Sequence, residues 1–491
     1  MTPSHRPDLT TRTATRIDPD VSRVVTRLFV AGQEDVGGGE SRAAKVIARV
    51  LELEEPEVEA CVRDLHGRFG SRHRQLTDAF DLHAERVVDR LGPGTVLSSA
   101  RRQLLGATFT HEYAIEAAAL CNPSIVLHPD QRGCGDGSAR FVMSLRGVGE
   151  GHRSSIGFRT GTIGPDGSAE LDARSAFAAL GSTTESPLEG EVLRSMLREF
   201  GEDSDSVTYV LDALGDFFHV DELEQRLGAL ARHGDTRWGS ELTIAHFRAL
   251  AASTYTSDFG LDTELSERVL WPSCAAESHG MEDARFVRFV DDDRVVYYAT
   301  YTAFDGVDVR QHLIETDDFV RFKMSPVAGA ASPCKGLAFF PRRINGRYHA
   351  LSRFDRETNA VSATDNVRCW DESTVIQVPR RSWETIQLGN CGSPIETPEG
   401  WLALTHGVGA MRSYAIGALL LDLDDPSKVL ASLDEPLLTA SPSEQDGYVP
   451  NVVYTCGALL HGDVLVLPYG IGDRRIGVAT VRWDELLRAM S

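Results

Sequence analysis

Short apolar segments separated by turn residues fill the chain from about residue 280 to residue 482, and this pattern restricts the fold most. The segments are bounded by Gly, Asp, Asn or Pro, as strands usually are. They are RVVYYATYT (294–302), WLALTHGV (401–408), DVLVLPYG (463–470) and IGVATVRW (476–483). Many short strands of this kind are typical of a sandwich, a barrel or a propeller, and the pattern alone leaves these three open.

Two other parts of the chain have helical periodicity. Between about residues 20 and 120, apolar residues recur at three- and four-residue steps, and HEYAIEAAAL (111–120) is predicted to form a short helix. The helical pattern returns at about residues 173–253, for example in EVLRSMLREF and DELEQRLGALARH. We therefore predict a helical N-terminal region at residues 1–110 and a β-rich domain at residues 111–491 that contains the second helical stretch as an insertion.

The charge balance excludes several kinds of partner. The 491 residues include 50 Lys and Arg against 72 Asp and Glu, which gives a formal net charge of −22. Because no overall positive field attracts phosphates, we expect neither a nucleic acid nor a membrane as partner. No apolar run reaches the roughly 20 residues of a membrane span, and the N-terminal sequence MTPSHRPDLTTRTATR lacks the apolar core of a secretory signal. These features predict a cytoplasmic protein that holds any anionic substrate with a local cluster of Arg and Lys.

The cysteines and histidines give no indication of a metal site. The eight cysteines include no CxxC pair, and isolated histidines such as His83 and His461 have no metal-ligand spacing. We therefore expect reduced, mostly buried thiols and no metal. The cysteines lie at positions 61, 121, 134, 274, 334, 369, 391 and 456.

The densest polar cluster is ESHGMEDAR at residues 277–285, just before the apolar segment RFVRF. Here Glu282 and Asp283 place two carboxylates beside the guanidinium of Arg285. In a partly buried site, the arginine keeps one carboxylate ionised while burial can leave another protonated, as a general acid requires. The same pattern is typical of a surface salt bridge in a turn, so the charges alone leave both interpretations open.

Four further polar residues interrupt apolar segments or follow them: Lys335, Arg353, His406 and Asp473. Each alone is more often a structural residue than a ligand contact. In a fold that closes radially, several of them would converge on one pocket, but spacing does not establish this. The basic patch SRHRQ (71–75) fits both a solvated helix face and a phosphate or sugar contact.

The segments GMEDARFVRF and VYYATYTAFDG lie within residues 280–306. They resemble the signature of glycoside hydrolase family 130, the inverting β-mannoside phosphorylases and β-mannosidases. The resemblance covers about residues 110–165 and 270–485, and the helical regions resemble those of longer members, among which are phosphorylases acting on β-1,2-linked oligomannosides. The other matching segments follow in the same order: CNPSIVLHPDQ (121–131), FVMSLRGVGEGHRSSIGFRTG (141–161), GNCGSPIETPEGWLALTHGV (389–408), YAIGALLLDLDDPSKVL (414–430), GYVPNVVYTCG (447–457) and LPYGIGDRRIGVA (467–479).

The resemblance implies a mainly β fold, a five-bladed β-propeller with its active site in the central pocket. Asp283 occupies the position of the general acid, which in the phosphorylases is thought to protonate the glycosidic oxygen through a substrate hydroxyl. Arg353 matches a phosphate-binding arginine, and Lys335 falls where a second basic phosphate ligand lies. Family positions that hold the transferred mannosyl unit are matched by Asn122, Ser124, Arg146 and Asp473, and residues that line the same pocket are matched by His406 and Tyr414.

Two positions depart from the family pattern. Gln387 stands where a basic residue is often found, which removes one cation from the expected phosphate site. Ala284 replaces the proline of the EDPR sequence, a mild change because proline contributes no side-chain chemistry.

The implied function is that of an inverting β-mannoside phosphorylase, with inorganic phosphate as co-substrate and no cofactor. Its partners would be a β-mannoside oligosaccharide and phosphate; the linkage, the acceptor and the oligomeric state stay open, with a homo-oligomer as one alternative. A β-mannosidase on the same scaffold would also need a carboxylate base, for which Glu277, Glu282 and Glu396 are the nearest candidates. A third alternative is a noncatalytic carbohydrate-binding propeller.

Overall fold

The computed structural model divides into two compact units. The first unit comprises residues 1–19, 118–174 and 180–491, and the second comprises residues 20–117 and 175–179. The structure describes residues 8–30, 41–88, 91, 95–202, 205–232, 240–292, 294–332 and 335–490.

Strands of the first unit form five antiparallel groups, named here the first to the fifth group. The first contains Ala119–Leu127, Ala139–Val148, Ser154–Ile163 and Ala169–Leu171. The second contains Gly280–Asp291, Arg294–Phe304, Val309–Thr316, Arg321–Pro326, Tyr255–Asp258 and Ser182–Glu185. The third contains Ala338–Phe339, Tyr348–Ser352, Asn359–Thr364 and Ser373–Gln377. The fourth contains Gln387–Asn390, Ile395–Thr397, Gly400–Val408, Tyr414–Leu421, Val429–Ser432 and Leu438–Thr439. The fifth contains Val453–Tyr454, Leu459–His461, Val464–Ile471, Arg475–Arg482 and Thr10–Ile17.

The central strands of these groups are the apolar runs of the sequence. Seven of the eight residues of Tyr414–Leu421 (YAIGALLL) are buried, and all eight residues of Val464–Ile471 are. A continuous apolar run of this length suits a strand that is covered on both faces. The four strands predicted between residues 294 and 483 are confirmed to within one or two residues at each end.

The N-terminal strand belongs to the β-rich unit. Thr10–Ile17 (TTRTATRI) pairs antiparallel with Arg475–Arg482, so segments more than 450 positions apart share the fifth group. Its β-branched residues favour an extended conformation. The structure thus places residues 10–17 with the strands, whereas the predicted division at residue 110 grouped them with the helices; the domain boundaries themselves stay a prediction.

All the described α-helices but one lie in the two stretches that have helical periodicity; the exception, Trp483–Met490, follows the last strand. Ser41 and Ser98 cap two helices of the second unit, where each hydroxyl accepts a backbone N–H of the first turn. The helices of the second unit are Arg42–Glu52, Glu55–Phe69, Leu76–Val88 and Ser99–Thr108. Those of the first unit are Gly190–Glu199, Asp205–Leu211, Val220–Arg232, Ser240–Ala252 and Trp483–Met490.

The helix predicted at residues 111–120 is wrong. Thr110–Ala114 is a strand that pairs with Val24–Leu28 in the second unit, and Ala119 begins the first group. Cross-strand pairing here overrides the local helical pattern. Three further short strands are Ala179–Leu180, Leu188–Glu189 and Phe217–Phe218, and Arg268–Leu270 pairs with Ser154–Ile163.

The seven described cysteines are free thiols, in line with the expectation, and Cys334 lies outside the described residues. In the described part of the chain, no helix is both long enough and apolar enough to cross a membrane.

The predicted mainly β class is confirmed. One parallel pair, Gly280 with Ser154, joins the first and second groups in a single sheet. Pairing among the described strands does not close the five groups into a ring, so the propeller stays a prediction at this point.

Candidate active site

Side chains from all five groups, or from the loops beside them, line one pocket of about 260 Å³. The predicted residues that line it are Asp283, Asn122, Arg146, Asp473, His406, Tyr414, Lys335 and Arg353. Gln387 and Arg285 also line it, together with three residues to which sequence reasoning gave no role: Arg412, Val452 and Tyr454. The structure therefore brings the predicted acid and the predicted phosphate-binding cations to the same place.

Backbone irregularities aim the polar side chains at this pocket. The strand pairing shifts between Glu282 and Arg285, and Asp283 within this bulge has a φ of +56°. A second shift lies between Cys121 and Ser124, where Asn122 has a φ of +50°. Bulges turn individual side chains away from the regular alternation of a strand. Asn and Asp are the residues besides glycine that best tolerate this left-handed conformation.

Asp283 is buried among hydrogen-bond donors. Its Oδ1 accepts a hydrogen bond from Asn122 Nδ2 at 2.5 Å and lies 3.4 Å from Arg146 Nη1. Burial by itself would raise the pKa of Asp283, but the positive charges of Arg146, Lys335 and Arg285 outweigh it and lower the pKa to about 2. The carboxyl is therefore ionised at neutral pH until a ligand changes the charge around it.

Glu282, next in sequence to Asp283, holds two cations. One carboxylate oxygen lies 2.6 Å from Arg146 Nη2, and the other lies 2.6 Å from Lys335 Nζ. Glu282 is only 7% exposed, so these are strong, charge-assisted contacts. Both oxygens of Glu282 are thus occupied, and it does not line the pocket.

Asp473 is the second carboxylate that lines the pocket. Burial raises its pKa to about 6, and the charge of Asp283 contributes in the same direction, whereas Arg146 and Arg412 act against it. The environment thus raises the pKa of Asp473 and lowers that of Asp283.

Arg353 enters the pocket through a narrow slot. A Cβ atom at Gly389 would lie 2.5 Å from Arg353 Cδ, and one at Gly336 would lie 2.8 Å from the same atom. Among the described residues, Arg353 Nε is buried without a hydrogen-bond partner. A buried guanidinium N–H without a partner suits an anionic ligand.

The charge of the pocket is opposite to that of the chain. Five cationic side chains line it, against two carboxylates. The local excess of positive charge can bind an anion in a protein of formal charge −22. The five cations are Arg146, Arg285, Lys335, Arg353 and Arg412.

His406 forms part of the wall beside Arg353. Burial lowers its pKa well below the ordinary value, and the charges of Arg353 and Arg285 lower it further, so the ring is neutral. Tyr414 stacks on it with ring centroids 6.1 Å apart, and Tyr454 packs against it edge-on at 5.0 Å. This wall offers aromatic surface to a sugar ring.

Comparison with known proteins gives the family. A profile of glycoside hydrolase family 130, described as β-1,4-mannooligosaccharide phosphorylase, matches residues 249–491. A 1,2-β-oligomannan phosphorylase of Thermoanaerobacter sp. (strain X514) is 33% identical over 227 residues, which cover 45% of this chain and 75% of that protein. The chain belongs to glycoside hydrolase family 130.

Two further family-130 proteins are similar to the chain. A β-1,2-mannobiose phosphorylase of the same Thermoanaerobacter strain is 33% identical over 235 residues, which cover 47% of this chain and 76% of that protein. A solved β-1,2-mannobiose phosphorylase of Listeria innocua, in complex with β-1,2-mannobiose, is 20% identical and covers 77% of this chain and 93% of that one, with a TM-score of 0.46. The predicted family is confirmed by the sequence relatives.

One predicted site residue of this family-130 chain does not line the pocket. Ser124 is buried, and its hydroxyl accepts a hydrogen bond from the backbone N–H of Phe286 at 3.1 Å. A Cβ atom at Gly457 would approach this hydroxyl to 2.7 Å. Because Ser124 stands where regular pairing resumes after the bulge, its side chain braces neighbouring strands, whereas that of Asn122 lines the pocket.

The candidate bases of the hydrolase alternative lie outside the lining of the pocket. Glu277 is fully buried and accepts hydrogen bonds from the hydroxyls of Tyr255 and Tyr301. Glu396 pairs with Arg342 at 2.7 Å near the surface. With Glu282 bound by two cations, none of the three candidates is placed to activate a water molecule in the pocket.

Among the described residues, Glu277 also belongs to the one group of possible metal ligands whose ligand atoms lie close together. Ligand atoms of Cys274, Glu277 and His312 lie within 4.8 Å of one another, a proximity that sequence spacing did not reveal. The oxygens of Glu277 already accept hydrogen bonds from two tyrosine hydroxyls and from backbone N–H groups. These bonds explain the cluster as part of a hydrogen-bonded core.

The basic patch SRHRQ lies in the second unit, in contact with other residues of that unit. Arg72 and His73 contact Glu112 at 2.9 Å and 2.8 Å, and Arg74 stacks over Phe177. These contacts favour the structural interpretation of the patch.

Proposed function

We propose that this family-130 chain is an inverting β-mannoside phosphorylase that acts on β-1,2-linked manno-oligosaccharides. The names of the relatives that are 33% identical support the linkage and the activity. The observation that carries the proposal is that Asp283, Lys335 and Arg353 line one pocket. A general acid beside a cationic anion site is what phosphorolysis requires.

The reaction replaces the bond between the anomeric carbon and the glycosidic oxygen by a bond to a phosphate oxygen. A phosphate oxygen attacks that carbon from the face opposite to the glycosidic oxygen, the carbon–oxygen bond breaks, and the departing oxygen takes a proton that originates from Asp283. The products are α-mannose 1-phosphate and a shortened oligosaccharide. Asn122, Arg146 and Asp473 would hold the transferred mannosyl unit, and Arg353 and Lys335 would hold phosphate.

The low pKa of Asp283 makes its protonation depend on the ligand. Three cations lower this pKa, and one of them, Lys335, belongs to the proposed phosphate site. A bound phosphate dianion offsets these charges, and a bound sugar removes water, so both raise the pKa of Asp283. Asp473, with a pKa of about 6, lines the same pocket and is the group proposed to exchange a proton with Asp283.

Phosphate is a more suitable nucleophile than water in this pocket. A hydrolase needs a carboxylate base to activate water, whereas phosphate is already anionic and nucleophilic. The three candidate bases, Glu277, Glu282 and Glu396, do not line the pocket, and the other carboxylate that does, Asp473, is assigned to the sugar. This arrangement favours phosphorolysis over hydrolysis.

The proposal includes a five-bladed β-propeller as the arrangement of the first unit. Apart from Thr10–Ile17, the strands of the five antiparallel groups follow one another along the chain. Each group, or a loop beside it, contributes residues to the same pocket. A radial arrangement of the groups around that pocket accounts for both observations. The cytoplasmic location, the lack of a cofactor and of nucleic acid or membrane partners, and the oligomeric state stay predictions.

Incubation of the protein with β-1,2-mannobiose, with and without inorganic phosphate, tests the function. Phosphorus and proton NMR should detect mannose 1-phosphate as the α anomer, and only when phosphate is present. Equal release of mannose with and without phosphate would instead indicate a β-mannosidase. Tight binding without turnover under both conditions would indicate a noncatalytic carbohydrate-binding protein.

A further inference from the structure

A second cavity, of about 300 Å³, adjoins the catalytic pocket at Tyr414. Tyr414 lines both cavities, and residues that are neighbours in the sequence line different cavities. Arg412 and Val452 line the catalytic pocket, whereas their neighbours Ser413 and Asn451 line the second cavity. The two cavities are therefore neighbours that share Tyr414 as a common wall.

The aromatic wall of the second cavity is Trp383, which is fixed in a slot built by glycines. A Cβ atom at Gly407 would lie 2.4 Å from the indole ring, and one at Gly417 would lie 2.6 Å from it. The indole Nε1 donates a hydrogen bond to the backbone oxygen of Asp434 at 3.0 Å. The indole is thus held rigidly, which lowers the entropic cost of using it as a binding surface.

The polar groups of the cavity are neutral and available. Among the described residues, no charged side chain lines it, and the side-chain amides of Gln445 and Asn451 make no hydrogen bond to another residue. Asn451 is held at a φ of +61°, where its backbone oxygen accepts a hydrogen bond from the Tyr414 N–H. Free amides beside an aromatic wall suit a neutral ligand rich in hydroxyl groups.

A third cavity, which also shares lining residues with the catalytic pocket, is cationic. It shares Lys335, Arg353 and Gln387 with that pocket and adds Arg356 and Asp308, so three cations stand against one carboxylate and suit phosphate. In an inverting displacement the nucleophile and the leaving group occupy opposite faces of the sugar ring, so they need separate binding regions. By its chemistry the cationic cavity suits phosphate, and the neutral cavity suits the leaving oligosaccharide.

We propose that the cavity formed by Trp383, Tyr414, Gln445 and Asn451 binds mannosyl units of the leaving or accepting oligosaccharide. This inference rests on the proposed function, because the cavity would bind the part of the substrate that is not transferred. It makes the enzyme prefer substrates longer than a disaccharide.

The test compares kcat/KM for the phosphorolysis of β-1,2-mannotriose with that of β-1,2-mannobiose. Wild type should prefer the trisaccharide. Ala410→Trp, at an exposed position that lines the cavity, should lower this preference by about tenfold, and Gln445→Ala should lower it by about threefold. Val429→Trp, on an outer strand of the same fourth group and outside the cavity, should leave the preference unchanged.

Two outcomes would overturn the inference: equal kcat/KM for both substrates in wild type, or an unchanged preference in both cavity variants. Calorimetry of β-1,2-mannotriose with Asp283→Asn, with and without Ala410→Trp, separates this result from failure of the proposed function. Loss of affinity on adding Ala410→Trp supports the cavity even if wild type shows no dependence on phosphate. An unchanged affinity contradicts it.

Discussion

The Glu282 carboxylate joins Arg146 to Lys335, with a distance of 2.6 Å from each of its oxygens to the nearer cation. Arg146 also lies 3.4 Å from the predicted acid, whereas the Lys335 side chain is 38% exposed at the pocket. Glu282 therefore connects Arg146, which is proposed to hold the mannosyl unit, with a cation of the proposed phosphate site, and it holds a flexible lysine in one position.

Glu282→Gln should weaken the use of phosphate. A glutamine keeps one oxygen but turns its amide N–H groups towards the other cation, so Lys335 loses its partner. We expect KM for phosphate to rise by about tenfold, since a hydrogen bond to a charged group contributes about 1.5–3 kcal/mol. Initial-rate kinetics at saturating mannobiose measure this change.

A double-variant cycle shows whether this effect acts through Lys335. In the background of Lys335→Met, adding Glu282→Gln should change KM for phosphate by less than about twofold, because the partner is already absent. Glu396→Gln is the matched control, since Glu396 pairs with Arg342 outside the pocket. Full additivity of the two changes would contradict the role given to Glu282.

Asp283→Asn should abolish most turnover without unfolding the protein. The amide cannot donate a proton as an acid, and general acids contribute about 10²–10⁴-fold to rate. Asparagine tolerates the φ of +56° at this position and keeps an oxygen for the Asn122 side chain, whereas alanine would add backbone strain. We expect kcat to fall at least about a hundredfold with a nearly unchanged melting temperature; near-normal kcat would contradict the assignment.

Gly389→Ala should impair phosphate use through Arg353. A Cβ atom there would lie 2.5 Å from Arg353 Cδ and 2.7 Å from His406 Cε1, so both side chains must move. We expect KM for phosphate to rise by about tenfold, as it should for Arg353→Met, because the guanidinium, whose planar shape suits a bidentate contact with phosphate, leaves its position. Arg342→Met, outside the pocket, is the control. An unchanged KM for phosphate in both variants would show that Arg353 does not bind it.

The sequence singles out Asp283 as the predicted acid but does not give the contacts of its neighbour Glu282. Asp283 follows from an ordered family motif, and Arg294–Phe304 follows from its apolar pattern. In contrast, the bulge between Glu282 and Arg285 determines that Asp283 lines the pocket while Glu282 binds the cations beside it. Two adjacent carboxylates look equivalent in the sequence, because only the strand register distinguishes them.

Long-range pairing limited the other predictions. Thr10–Ile17 becomes a strand by pairing with Arg475–Arg482, and no local pattern announces a partner so far along the chain. Ser124 matches a family position, yet its hydroxyl is taken up by the Phe286 N–H of another strand. Arg412 reaches the pocket from a loop with a φ of +54°, a conformation that its sequence does not suggest.

Asp473→Asn should stabilise the protein in a pH-dependent manner. The folded-state pKa of Asp473 is raised to about 6, so the folded state binds an extra proton between the ordinary carboxyl pKa and pH 6. The free energy of unfolding therefore falls as the pH rises through this range. Above pH 6 the ionised Asp473 destabilises the folded state, and asparagine removes this charge. The gain in melting temperature should therefore be larger at about pH 7.5 than at about pH 5.

Asp283 does not confound this pH window, because its lowered pKa affects stability only at more acidic pH. Asp463→Asn, at an exposed turn of the same fifth group, should shift the melting temperature equally at both pH values. A gain from Asp473→Asn that is equal at both pH values, or larger at the lower one, would contradict the raised pKa and its proposed part in proton exchange.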